Sequence, residues 1–146
     1  MVTTETSISK TIQRIVEVIF GFCALYFFLM GACLVFIPEF LTKGAVGATT
    51  NPTVIGMLRG AGGSIIPYSL LYILIALDPY KKSWALYVIL VANISAIILD
   101  LGSVIVGEYN ILNAMIDLPV ELISIIGIIL VFWTKNKLNY EHLKTS

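Results

Sequence analysis

Charge is scarce in this 146-residue chain. Only 12% of residues are charged, nine basic and nine acidic, for a formal net charge of zero. No basic patch or stripe can be assembled from so few cations, which excludes a nucleic-acid partner. Histidine is almost absent: His142, the single one, lies near the C-terminus. Cysteine is limited to Cys23 and Cys33. Ten residues of helix separate those two by about 15 Å, beyond disulfide reach. They read as small core or lipid-facing residues and say nothing about redox compartment. A transition-metal centre and a nucleophile–histidine triad both lack their parts. No Walker or dinucleotide-binding glycine pattern occurs, so nucleotide-driven work is disfavoured and no cofactor is expected.

What remains is apolar. Hydrophobic residues make up 58% of the chain and the mean hydropathy is +0.95, well above the soluble norm of about 45–50% apolar. Four stretches reach the roughly 20 residues a bilayer crossing requires. They run over about 15–37, 53–77, 84–106 and 113–133. The first is too long for a signal-peptide core and lacks a small-residue cleavage site, so it reads as a retained span. Neither an internal repeat nor a low-complexity tract is present. The expectation is one all-α domain over 1–146, an integral membrane antiparallel four-helix bundle, with membrane lipid as the first partner.

Lysine and arginine orient it. Lys10 and Arg14 precede the first span, Lys81 and Lys82 lie between the second and third, and Lys135, Lys137 and Lys144 follow the fourth. The other side carries only Lys43. By the positive-inside rule both termini are cytoplasmic in the cell membrane, with the 38–52 loop and the short connection before the fourth span outside. Asp78, Pro79 and Tyr80 form a tight cytoplasmic turn. Trp84 and Trp133 suit the membrane interface.

Against this background four ionisable residues stand out. Arg59 lies about 9 Å below the outer end of the second span, and Asp100 about 9 Å below that of the third. In the fourth, Asp117 and Glu121 lie about 6 and 12 Å deep. They share one layer of the outer leaflet on three helices. Helical spacing aligns Asn93, Ala96, Asp100, Ser103 and Gly107 on one stripe, and Asn113, Asp117, Glu121 and Ser124 on another. The second span groups Gly56, Arg59, Gly60, Gly63 and Pro67. Stripes of this kind face protein or a water-filled cavity.

Local chemistry adds detail. The Gly56-x-x-x-Gly60 spacing predicts a close helix approach, and Gly60-Ala61-Gly62-Gly63 thins the helix beside Arg59. Pro67 and Pro119 each remove a backbone donor and favour kinks, and Pro119 frees the Met115 carbonyl near Asp117. The first span presents Gly21, Ala24, Phe28 and Gly31 as a packing face. Glu17, three residues after Arg14, reads as its interfacial ion-pair partner. Tyr68 and Tyr72 could line a pocket, although core or lipid-facing tyrosines are the commoner case.

Arginine stays protonated, so the layer holds one fixed positive charge against three acids. At low dielectric the excess must be met by a proton, a bound cation or a cationic ligand group. An oxygen-liganded metal ion would have to tolerate Arg59. The leading expectation is an outward-facing polar pocket for a small amphipathic or cationic ligand, with proton-linked transport as an extension. Its ligand-binding set is Arg59, Asp100, Asp117, Glu121, Asn93, Asn113 and Ser103, with Arg59 as anion anchor and counter-ion, Asp100 as its partner, and Glu121 with Asp117 as the titrating pair. A structural or accessory subunit, in which Arg59 merely clamps the third and fourth spans, is the alternative. A lipid-modifying enzyme using the carboxylate pair is the third reading, behind non-enzymatic roles. Transport through so small a bundle calls for a homo-oligomer.

One resemblance attaches to these residues. The order P-E-F after the first span, L-R-G-A-G-G around Arg59, an ionisable residue three before Ser103, and Glu121 in the fourth span is similar to a family of small four-span bacterial membrane proteins of unknown function. The similarity covers roughly residues 15–133. It implies the four-span fold and a pairing of Arg59 with Glu121, and it implies no activity. Members tend to have arginine where this chain has Asp100, which inverts the local charge.

Overall fold

The computed structural model describes residues 2–40, 52–107 and 111–145, with side chains described for all of these except 2–9, 83, 112–114 and 137–145. Lys43, most of the external loop, the side chains of Asn113 and His142, and those of Lys137 and Lys144 therefore fall outside the described residues. Among the described residues there are four long helices: α1 (Val2–Phe36), α2 (Pro52–Leu77), α3 (Ser83–Val106) and α4 (Ile111–Thr145). All four carry a stretch long and apolar enough to cross a membrane, Lys10–Phe36, Pro52–Leu77, Trp84–Val106 and Met115–Asn136. Helix is what an apolar solvent imposes, since only a helix or a closed barrel satisfies every backbone group internally. The helices α1 and α4 continue well beyond their apolar stretches, into Ser, Thr, Asn and Lys.

Local sequence explains the helix ends. Pro38 follows α1, and the Ile37 amide closes the last turn on the Cys33 carbonyl at 2.9 Å. Between α2 and α3 the Lys82 amide bonds the Asp78 carbonyl at 3.2 Å. The Asp78 carboxylate accepts the Lys81 amide at 3.1 Å and pairs with its ammonium at 3.3 Å. These contacts, the amide first, hold the Asp78 carboxyl below its ordinary value. Helix α3 stops at Gly107, whose φ of 82° is the left-handed cap that glycine takes without penalty. Pro67 and Pro119 both lie inside uninterrupted helices.

Packing is uneven. The buried core is Val16, Phe20, Cys23, Ala24 and Phe27 of α1, Tyr72 and Ile75 of α2, Ala85, Leu86 and Ile89 of α3, and Val120, Ile128 and Val131 of α4. These residues sit toward the end where α2 turns into α3. At the opposite end α2 and α3 expose most of their residues, from Met57 to Ile105 at 85%. The pair α1–α2 makes the most extensive contact, and α2–α3 the least of the neighbouring pairs. So many exposed isoleucines and leucines suit a lipid-facing surface rather than water.

The close approach of α1 and α2 uses other glycines than the spacing predicts. A Cβ on Gly62 would fall 2.7 Å from the Gly31 carbonyl oxygen and 2.7 Å from the Leu34 Cβ, whereas Gly56 and Gly60 face open space. On α1, Gly31 and Ala24 are buried as expected, but Gly21 faces open space and Phe28 is exposed. The face that packs is the larger Val16, Phe20, Cys23 and Phe27. Small size permits approach but does not choose a side; burying aromatic area does. Glu17 also departs from expectation: it accepts a hydrogen bond from Gln13 at 2.9 Å, and it forms no ion pair with Arg14 among the described residues.

Candidate functional site

The fourth-span stripe builds the site. Asp117, Glu121 and Ser124 lie four and three residues apart, so α4 turns all three to one side. Helix α1 meets that stripe through Tyr26, whose hydroxyl lies 2.5 Å from the Asp117 Oδ1 and 2.9 Å from the Ile116 carbonyl oxygen. The proline position predicts the Met115 carbonyl as the acceptor near Asp117; Tyr26 takes the next one along. One turn further, the Cys23 thiol points to the Val120 carbonyl at 3.9 Å. Replacing Tyr26 with phenylalanine removes the hydroxyl that reaches both the Asp117 carboxylate and the Ile116 carbonyl of α4 and should cost about 1.5 kcal/mol, the low end for a hydrogen bond to a carboxylate, read as a fall in thermal midpoint in detergent.

Below the acids lies a closed polar network. Asn93 is 2% exposed. Its Nδ2 donates to the Ser124 Oγ at 2.7 Å, while its Oδ1 accepts from the Tyr72 hydroxyl at 3.1 Å and from Tyr68 at 3.4 Å. Tyr72 and Ser124 share a further bond at 3.1 Å. Phe27 stacks on Tyr72 with ring centroids 5.1 Å apart, and meets Tyr26 and Tyr68 edge-on at 5.5 Å each. Three helices are tied at one point, and the fourth covers them with an aromatic ring.

Glu121 sits between these two groups and belongs to neither. It is 3% exposed, and its Oε2 has no hydrogen-bond partner among the described residues. Asp100 of α3 and Asp117 act on it electrostatically, and it acts in turn on Tyr26 of α1 and Tyr68 of α2. A buried polar oxygen with no partner costs about 1–3 kcal/mol, more when charged.

Arg59 is not part of this arrangement. It is exposed on α2 and makes no ion pair with Asp100, Asp117 or Glu121; Lys81–Asp78 is the ion pair found among the described residues. The clamp expected from equal depth does not form, and the pairing with Glu121 implied by the family resemblance is absent. Equal depth puts residues in one layer, but α2 turns Arg59 away from the bundle axis. Asp100 and Ser103 are half-buried on α3. Of the seven expected residues, Asp100, Asp117, Glu121 and Asn93 come together around the axis. Tyr26 and Phe27 complete the site, although no polar stripe points to them. Their signal in the sequence is the Phe20–Cys23–Phe27 spacing, which marks the buried side of α1.

Chemically the site offers acids, phenols and aromatic faces. No three His, Cys, Asp or Glu side chains among the described residues converge closely enough to hold a metal ion. Comparison with known protein families, with curated proteins and with solved structures finds no match to this chain.

Proposed function

We propose that this chain is a multi-pass protein of the cell membrane, an antiparallel four-helix bundle with both termini in the cytoplasm, that binds a small amphipathic cation at its acid layer and couples that binding to protons. The registers support the antiparallel arrangement: Tyr26 meets Asp117 while Cys23 meets Val120 and Phe20 meets Gly127, so α1 and α4 run past one another. The distribution of Lys and Arg supports the orientation. Resemblance to small four-span bacterial proteins belongs to the same proposal and adds no activity to it.

One observation carries the ligand reading. Glu121 is buried beside two further acids, with an unpartnered oxygen and no cation near it among the described residues. Intramembrane ionisable residues mark sites by default. Because Arg59 faces away, the charge missing from the site is positive. Tyr26, Phe27 and Tyr68 place aromatic rings beside the acids, and the face of such a ring attracts an organic cation. Metal chemistry fits less well, since the acids do not converge as ligands.

Tetraphenylphosphonium binding to the purified protein in detergent, followed by equilibrium dialysis, tests this. Saturable binding is expected, weakened at least about tenfold, or 1.4 kcal/mol, by Glu121→Gln. Unchanged affinity in that variant, or no saturable binding by the unaltered protein, overturns the proposal. The same substitution should change the melting temperature little, because glutamine is the near-isosteric neutral counterpart of a protonated glutamic acid.

A second reading, an accessory subunit held rigid for a larger partner, draws on the Tyr72–Asn93–Ser124 network, which ties α2, α3 and α4 whatever the acids do.

A further inference from the structure

We infer that Glu121 is the group of the acid layer that carries a proton and Asp117 its ionised neighbour, so that an organic monocation arriving at Glu121 displaces that proton. The inference deepens the ligand reading above, and only its exchange step rests on that reading.

The two acids are one helical turn apart, yet their surroundings differ. Asp117 is half-buried and takes a short hydrogen bond from the Tyr26 hydroxyl, 2.5 Å. Distances of about 2.5–2.7 Å are those of a hydroxyl donating to a charged carboxylate. Glu121 has no such donor among the described residues. Its Oε2 is enclosed and unpartnered, so nothing replaces the water that a negative charge would lose. A protonated carboxyl is the form that such an enclosure tolerates.

No described neighbour supplies the opposite charge. Helix α1 contributes Tyr26, and Cys23, whose thiol already points to the Val120 carbonyl. From α2 comes Tyr68, from α3 Asp100, and from α4 itself Asp117. All are neutral or acidic. Two carboxylates a turn apart, with a third nearby, cannot all ionise at low dielectric unless a cation enters. When one does, the Glu121 O–H bond breaks, its electrons stay on the carboxylate, and the proton leaves by way of half-exposed Asp117 or water. The ligand's charge takes its place, and the net charge of the layer is conserved.

Infrared spectroscopy of the full-length protein in detergent at neutral pH tests the proton without any ligand. A protonated-carboxyl stretch is expected that moves when glutamate carboxyls carry carbon-13, stays when aspartate carboxyls do, and vanishes in Glu121→Gln. The labelling needs no substitution, so a misfolded variant does not blunt it. In Asp117→Asn the band should disappear at lower pH than in the unaltered protein, since one like charge is gone. A band that follows aspartate labelling, or none at neutral pH, overturns the assignment. In weakly buffered solution, tetraphenylphosphonium should release about one proton per cation bound. Binding without release overturns the exchange while the ligand reading survives; absence of binding overturns both, and leaves the proton on Glu121 to stand or fall with the infrared band.

Discussion

Replacing Gly62 with leucine is expected to be the most damaging single change to this fold. The first side-chain carbon would already lie 2.7 Å from the Gly31 carbonyl oxygen, 2.7 Å from the Leu34 Cβ and 3.0 Å from the Val35 Cγ2. Two of those atoms cannot swing aside, being a backbone oxygen and the Cβ that fixes the Leu34 side chain. The helices α1 and α2, the most extensively packed pair, would have to separate. Overpacking of flexible cores costs about 1–3 kcal/mol, and backbone contact should put this substitution at about 3 kcal/mol or more. The matched controls are Gly56→Leu and Gly60→Leu, whose Cβ atoms meet nothing within 4 Å. Thermal unfolding in detergent should show the Gly62 variant far below both controls. Equal losses at all three positions would mean that the α1–α2 seam is not where the structure has it.

Asn93→Ala is the second large effect. The amide holds Ser124 at 2.7 Å and Tyr72 at 3.1 Å, with Tyr68 within 3.4 Å. Its removal unties α3 from α2 and α4 together. Hydrogen bonds between membrane helices average about 0.6 kcal/mol in double-mutant cycles, with a maximum of about 1.7. Three such contacts and a small cavity sum to about 2 kcal/mol. Tyr72 and Ser124 keep their mutual bond at 3.1 Å, so neither hydroxyl is stranded and the loss stays bounded. An Asn93→Ala, Ser124→Ala cycle should return a favourable coupling of about 1 kcal/mol. Zero coupling would remove the network as a cause of the loss. Under the proposed function, tetraphenylphosphonium affinity should change less than stability does, which separates the network's role from the one proposed for the acids.

The helical, membrane-spanning architecture is legible in the amino-acid sequence because apolar length is a local property. A run of about 20 residues without charge has few other fates than a crossing helix, and the four runs at 15–37, 53–77, 84–106 and 113–133 correspond to helices within the described residues. The stripe Asp117–Glu121–Ser124 is equally legible, since helical spacing alone turns those residues to one side.

Rotation is not. Which side of a membrane helix faces its neighbours depends on how partner helices fit, and lipid offers no polar contrast to reveal it for apolar residues. Arg59, expected at the acids' depth, is exposed, while a Cβ on Gly62, two residues beyond Gly60, would run into the α1 backbone. Spacing cannot assign Tyr26 to Asp117, because 91 residues separate them and only the packing of α1 on α4 brings them to 2.5 Å. Sequence alone determined that the chain carries four membrane-spanning runs and more intramembrane acid than base. Tertiary structure decided that Arg59 stands aside, that Asp117 has a hydrogen-bond donor and that Glu121 has none among the described residues, because burial and partnership are settled only when four helices choose the faces they share.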